Sequence, residues 1–165
     1  MTTSESPLAH SHAPMLHALA ERLGQPAVRA AASRPGVSGV LRVIAHYYDH
    51  RAHDSVATVR RMGMGDVLLE MAYDHALGGR VLERALEAER FEACWRDLLG
   101  LGFDRMPDQP GLPLYDAADL WLVERAAGGF AHSVLLMPTA QADPHRALVR
   151  LIRRALPEMV RELSL

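Results

Sequence analysis

The chain has 165 residues, 49% of them hydrophobic and 23% charged, with a formal net charge of −2. This is the composition of one globular domain, long enough to bury roughly two-thirds of its unfolded surface without a metal or disulfide. The charge excludes a nucleic-acid protein that works through a global positive field and leaves only a local patch.

All 18 basic residues are arginine, and asparagine is also absent. Both missing residues use A-rich codons, which points to a GC-rich bacterial genome. The chemical consequence is that Schiff-base and phosphate-loop lysines are excluded. The only cysteine, Cys94, has no intramolecular disulfide partner. The chain opens without a charged segment followed by an apolar one, and no apolar run nears about 18 residues. A cytoplasmic protein with no membrane partner is the expectation.

In chain order, Met1 to Ala13 is small, polar and expected to be disordered. Leu16, Leu19, Ala20 and Leu23 recur at helical spacing. Gly24 can end that helix, and Pro26 can start a second piece through Ala27 to Arg34. Leu19 to Gly24 followed by Val28 resembles the opening of a helix-turn-helix, but a second helix of about two turns is too short to read DNA. Pro35-Gly36 is the strongest break. It divides residues 1–36, a tail with a short helical lead, from residues 37–165, a single α+β domain. The strand and helix order is complete without the lead, so the domain is expected to fold alone.

Val40 to Tyr48 fits either a strand or a helix face, and its β-branched and aromatic content favours the strand. Ser55 to Met62 is a further strand, turned by Gly63-Met64-Gly65-Asp66 into Val67 to Asp74. Gly78-Gly79 leads into a less apolar run, Arg80 to Leu86, expected near a sheet edge. Glu87 to Gly100 is helical, with Phe91, Trp95, Leu98 and Leu99 on one stripe and acids in the first turn. Met106 to Asp116 carries Pro107, Pro110, Gly111 and Pro113 and must be a loop. Asp119 to Arg125 and Phe130 to Met137 form a hairpin around Gly128-Gly129. Asp143 can cap a last helix with Pro144 at its first position, and Leu148, Ile152, Ala155, Met159 and Leu163 make its apolar stripe. Pro157 should kink or restart that helix. The predicted fold is α+β: an antiparallel sheet of five or six strands with two helices on one face, preceded by a short helical segment. Alternation in Val67, Leu69, Met71 and Tyr73 predicts one drier sheet face, leaving the other face and the Met106–Asp116 loop for a partner.

The densest chemistry is His46, His50 and His53. On a helix they fall at i, i+4 and i+7 and could hold Zn²⁺ or Fe²⁺ with one position open, as a metal-dependent enzyme requires. On a strand running into a loop they do not share a face, and the run is a polar strand end; no cofactor is expected. On the last helix Arg146, Arg150, Arg153, Arg154 and Arg161 form a stripe suited to phosphate, nucleic acid or an acidic partner. The competing reading is a solvated face in a lysine-free protein, and no aromatic interleaves the stripe, which argues against nucleic acid. Cys94, between Phe91 and Trp95, reads as buried and inert. Asp104, Asp108, Asp116 and Asp119 match no calcium loop and read as solvated turn residues.

From Arg80 to Leu156 the order is strand, helix ending in Leu101-Gly102-Phe103, proline-rich loop, Gly-Gly hairpin bearing Trp121 and Phe130-Ala131-His132, and closing helix. This order resembles the emfourin-type inhibitors of bacterial metalloproteases. The resemblance implies an α+β sheet with helices on one face and an inhibitor-like role against a protein partner. This chain adds an N-terminal extension and lacks an early Ser/Gly-rich strand. Neither a nucleophile elbow, a phosphate loop nor a dinucleotide-binding glycine pattern occurs. The leading expectation is a noncatalytic interaction or binding module with a protein partner.

Overall fold

The structure is a computed structural model and describes residues 9–74 and 81–157. The proposed Gly78-Gly79 turn, the tail up to Leu8, and Met159, Arg161 and Leu163 lie outside the described residues.

The described residues form helices α1 (Ala9–Arg22) and α2 (Val28–Ala32), then strands β1 (Val37–His46), β2 (Ser55–Met62), β3 (Val67–Tyr73) and β4 (Val81–Leu86). Helix α3 (Ala88–Gly100), strands β5 (Leu120–Ala127) and β6 (Phe130–Leu136), and helix α4 (His145–Ala155) complete the chain. The strands make one six-stranded sheet in the order β4-β3-β2-β1-β5-β6, antiparallel at every pairing. The α+β class, the antiparallel sheet and the edge position of β4 are as the sequence predicts. So is the strand reading of Val40 to His46.

Helices α3 and α4 cover one face. Phe91, Cys94, Trp95 and Leu98 of α3 and Leu148, Ile152 and Ala155 of α4 pack on Leu41, Val43, Val59, Leu69, Trp121 and Val123. Leu99, expected on that stripe, is instead exposed. The Trp95 ring lies between the guanidinium groups of Arg61 and Arg125, 4.8 and 5.1 Å from its centroid. Gly39 makes room for it, because a β-carbon there would sit 2.9 Å from Trp95 Cη2. Leu98 has no exposed surface. Leu98→Ala is therefore expected to cost about 2–5 kcal/mol in urea denaturation, and a loss under about 0.5 kcal/mol would move it out of the core.

The opposite face is not left for solvent. Leu16, Leu19 and Ala20 of α1 pack on Ile44, Val56, Leu120, Leu122 and Leu135. Val28, Ala31 and Ala32 of α2 pack on Val40 and Ala126. The N-terminal helices are thus a third layer, and α1 begins at Ala9, inside the stretch expected to be disordered. The expectation of one drier face holds at the start of β3, where Val67, Leu69 and Met71 are buried and Leu68 and Glu70 are less so, but not at β1 and β5, which are buried on both sides. The helix-turn-helix likeness also ends here, since α2 has five residues and buries its apolar side on the sheet.

Two local corrections concern α4 and the proline-rich loop. Pro144 itself occupies the N-cap of α4 with no side-chain cap hydrogen bond, while the Asp143 carboxylate reaches Arg146 at 3.4 Å. The helix ends at Ala155, ahead of Pro157. The loop after α3 is tied down along its length. Imidazole Nε2 atoms of His132, His145, His12 and His46 donate to the carbonyls of Met106, Pro107, Pro113 and Tyr115 at 2.9, 2.8, 2.7 and 3.1 Å. The same loop covers the C-terminal end of the outer edge of β6: the Gln109 amide bonds to the Leu135 carbonyl, and Asp108 and Gln109 side chains accept from the Leu135 and Met137 amides. A covered stretch of edge cannot template pairing with another chain.

Candidate functional site

The strand assignment removes the premise of a three-histidine metal site. His46 ends β1 with its ring stacked on Tyr115 and Nδ1 2.9 Å from Asp54. Its Nε2 is committed to the Tyr115 carbonyl. His50 sits exposed in a turn at φ 56°, and His53 is exposed beyond it. The three rings are not brought together, and among the described residues no group of three His, Cys, Asp or Glu side chains is placed to share an ion.

The arginine stripe is largely engaged in the structure. Arg146 reaches Asp143, Arg154 pairs with Asp97 at 2.9 Å, and Arg153 lies 5.5 Å from the Trp121 ring centroid. Arg150 is exposed. The acids read as solvated turn residues are also employed: Asp104 pairs with Arg125, Asp119 with Arg51, and Asp108 holds β6.

The notable chemistry lies where sequence reasoning did not look. One residue from each strand forms a polar row across the α1/α2 face: Glu83, Glu70, Thr58, Arg42, Glu124 and Ser133, each the register partner of the next. The row separates the apolar patch under α1 from the patch under α2. A signal for it existed in β1. Val40 and Ile44 share a parity with Arg42 while Leu41, Val43 and Ala45 fill the other, so an arginine between them has no solvent face to point to.

The Gln25-Pro26 turn between α1 and α2 lies over this row and supplies its partners. Arg42 Nε donates to Thr58 Oγ1 at 3.0 Å, and Nη1 donates to the Pro26 carbonyl at 2.5 Å. Gln25 Nε2 donates to Glu70 at 2.7 Å, and Arg60 bridges Glu70 and Glu83 at 3.3 and 2.7 Å. His17 of α1 holds Glu124 Oε1 at 2.7 Å. Arg42 is 1% exposed and Glu124 3%. Arg42 Nη2 and Glu124 Oε2 are two of seven buried side-chain polar atoms, among the described residues, that find no hydrogen-bond partner within the chain. Buried charge is costly unless fully bonded, and native proteins leave few such atoms unpaired. Burial lowers the Arg42 pKa below the ordinary arginine value, with the fields of Glu124 and Glu70 acting the other way.

A cavity of about 790 Å³ opens at this point, lined by His17, Gln25, Val28, Arg42, Glu124 and Ser133 among others. The half-exposed His17 ring is part of its lining. The hydrogen bond to Glu124 raises the His17 pKa above its ordinary 6.5, against the opposing effect of burial. A histidine raised on folding lends stability that is fully present below pH 6.5 and is lost as pH climbs through the folded value. The difference in urea midpoint between the wild type and His17→Gln is therefore expected to shrink from about pH 6 upward. A difference that is flat or grows with pH contradicts the pairing.

Catalysis has less to work with. A histidine paired with a buried carboxylate is part of a general-base relay, but no serine or cysteine is hydrogen-bonded to His17 among the described residues. Burial pushes the Cys94 thiol up to about 11, away from the thiolate a nucleophile needs. Among the described residues no helix is long and apolar enough to cross a membrane. Set against known proteins, the chain matches no family model and no curated protein.

Proposed function

We propose that this chain is a noncatalytic binding module whose recognition site is the cavity beneath the α1–α2 turn. The observation that carries the reading is the pair of oppositely charged, buried side chains lining that cavity, each with one polar atom left without a partner. Small-molecule sites are concave and mostly apolar, with a few convergent polar groups that fix orientation. Ala20, Val28 and Ala131 supply the apolar wall here, and Arg42 and Glu124 the polar groups. A relay without a nucleophile and an inert thiol favour binding over catalysis.

The test is a thermal-shift screen of small polar compounds on the wild type and on Ala131→Phe, which places a large ring in the cavity wall. The expected result is a set of compounds that raise the melting temperature of the wild type and leave the variant unmoved. Compounds that stabilise both proteins equally, or none that stabilises the wild type, would sink the reading.

A further inference from the structure

Resting on that reading of the cavity, we infer that its ligand is a small zwitterion of the amino-acid class, its carboxylate on Arg42 and its ammonium on Glu124. The charges on the wall are separate and each is incompletely met. Both hydrogen bonds made by Arg42 go to uncharged oxygens, the Thr58 hydroxyl and the Pro26 carbonyl, so Nη2 has no anionic hydrogen-bond partner. Glu124 gives one oxygen to His17 and keeps Oε2 for a further donor.

The two residues are direct register partners on β1 and β5. Side chains leaving opposed positions start about 5 Å apart, a spacing that one small molecule can bridge. A simple anion on Arg42 meets the Glu124 carboxylate beside it, and a simple cation on Glu124 meets Arg42. Like charges brought together in a partly desolvated site repel strongly. A neutral amide avoids that repulsion but answers neither charge with an opposite one. Only a molecule carrying both signs on a short frame complements both groups, as charge-assisted hydrogen bonds require. The neighbouring Ala20, Val28 and Ala131 surface then receives an aliphatic side chain. Nη2 and Oε2 lie below the surface, so a ligand reaches them only as the side chains lining the cavity shift aside.

The test uses isothermal titration of the full chain with L-valine, N-acetyl-L-valine, L-valinamide and 2-pyrrolidinone, repeated on Glu124→Gln and Arg42→Lys. Glu124→Gln keeps the side-chain shape and an acceptor for His17 while removing the charge. Binding is expected for L-valine and is expected to weaken at least about tenfold when either end is blocked, the size of one charged hydrogen bond. Glu124→Gln should weaken L-valine to a similar degree and tighten N-acetyl-L-valine, whose carboxylate then no longer meets the Glu124 charge. Should Glu124→Gln fail to fold, the wild-type ligand series alone decides. Binding of the blocked compounds or of 2-pyrrolidinone as tightly as L-valine overturns the zwitterion and leaves the cavity reading standing. No heat from any of the four, together with an empty thermal-shift screen, overturns both.

Discussion

Deleting residues 1–34 is expected to abolish the cooperative unfolding transition. The segment includes Leu16 and Leu19, both fully buried, and with them Val28, Ala31 and Ala32. Each leucine alone is worth about 2–5 kcal/mol against alanine, and a domain of this kind is stable by only about 5–15 kcal/mol. The deletion also strips cover from Ile44, Leu122 and Leu135, which face α1, and removes the Pro26 carbonyl and the His17 ring from Arg42 and Glu124. Two charges would then stand in the middle of a newly wetted apolar sheet face. Circular dichroism with a thermal melt and dye binding are the readouts. A truncated chain that melts sharply near the wild-type temperature would mean that residues 37–165 fold without the third layer.

This outcome bears on what could be read from the sequence. Strand and helix periods placed β2, β3, α3 and the β5–β6 hairpin closely, because each shows a clean alternation or helical stripe. The role of the lead was harder to see. Pro35-Gly36 looks like a domain boundary, yet it is a tight turn that drops the chain from α2 into β1, with Gly36 at φ 82°. Glu70, Thr58, Arg42 and Glu124 stand on four different strands. Only the register aligns them into one row. Register is a property of pairings between distant segments, which a local pattern does not contain. The histidines show the same limit: the density of His46 to His53 is plain in the sequence, whereas the sharing of one loop by four rings spread along the chain is not.

Replacing Arg42 by alanine is expected to cost about 3–5 kcal/mol, the range for removing one member of a buried charged set. The substitution empties a large buried volume and takes donors from Thr58 and Pro26. It also leaves the Glu124 carboxylate without the cation opposite it in the register. Arg42→Lys should recover only part of the loss, because an ammonium does not reproduce the planar fork that reaches Thr58 and Pro26 together. The double variant Arg42→Leu with Glu124→Leu should be markedly more stable than Arg42→Ala, since an apolar pair has no charge left to desolvate. Urea denaturation of the three proteins decides the matter. If Arg42→Ala loses less than about 1 kcal/mol, the row is wetter than its burial implies.

The imidazole rings that hold the proline-rich loop come from α1, β1, β6 and α4, and so from the sheet and from both helical layers. A segment with this composition, given only surface attachments, would open on its own and let its amides trade protons with solvent quickly. Here the backbone between Met106 and Tyr115 cannot lift away without breaking bonds to every layer of the molecule. Its slowest-exchanging amides should therefore follow the global unfolding free energy, as those of the central strands do, and the loop should resist proteolytic nicking in the native state despite containing three prolines and almost no regular structure.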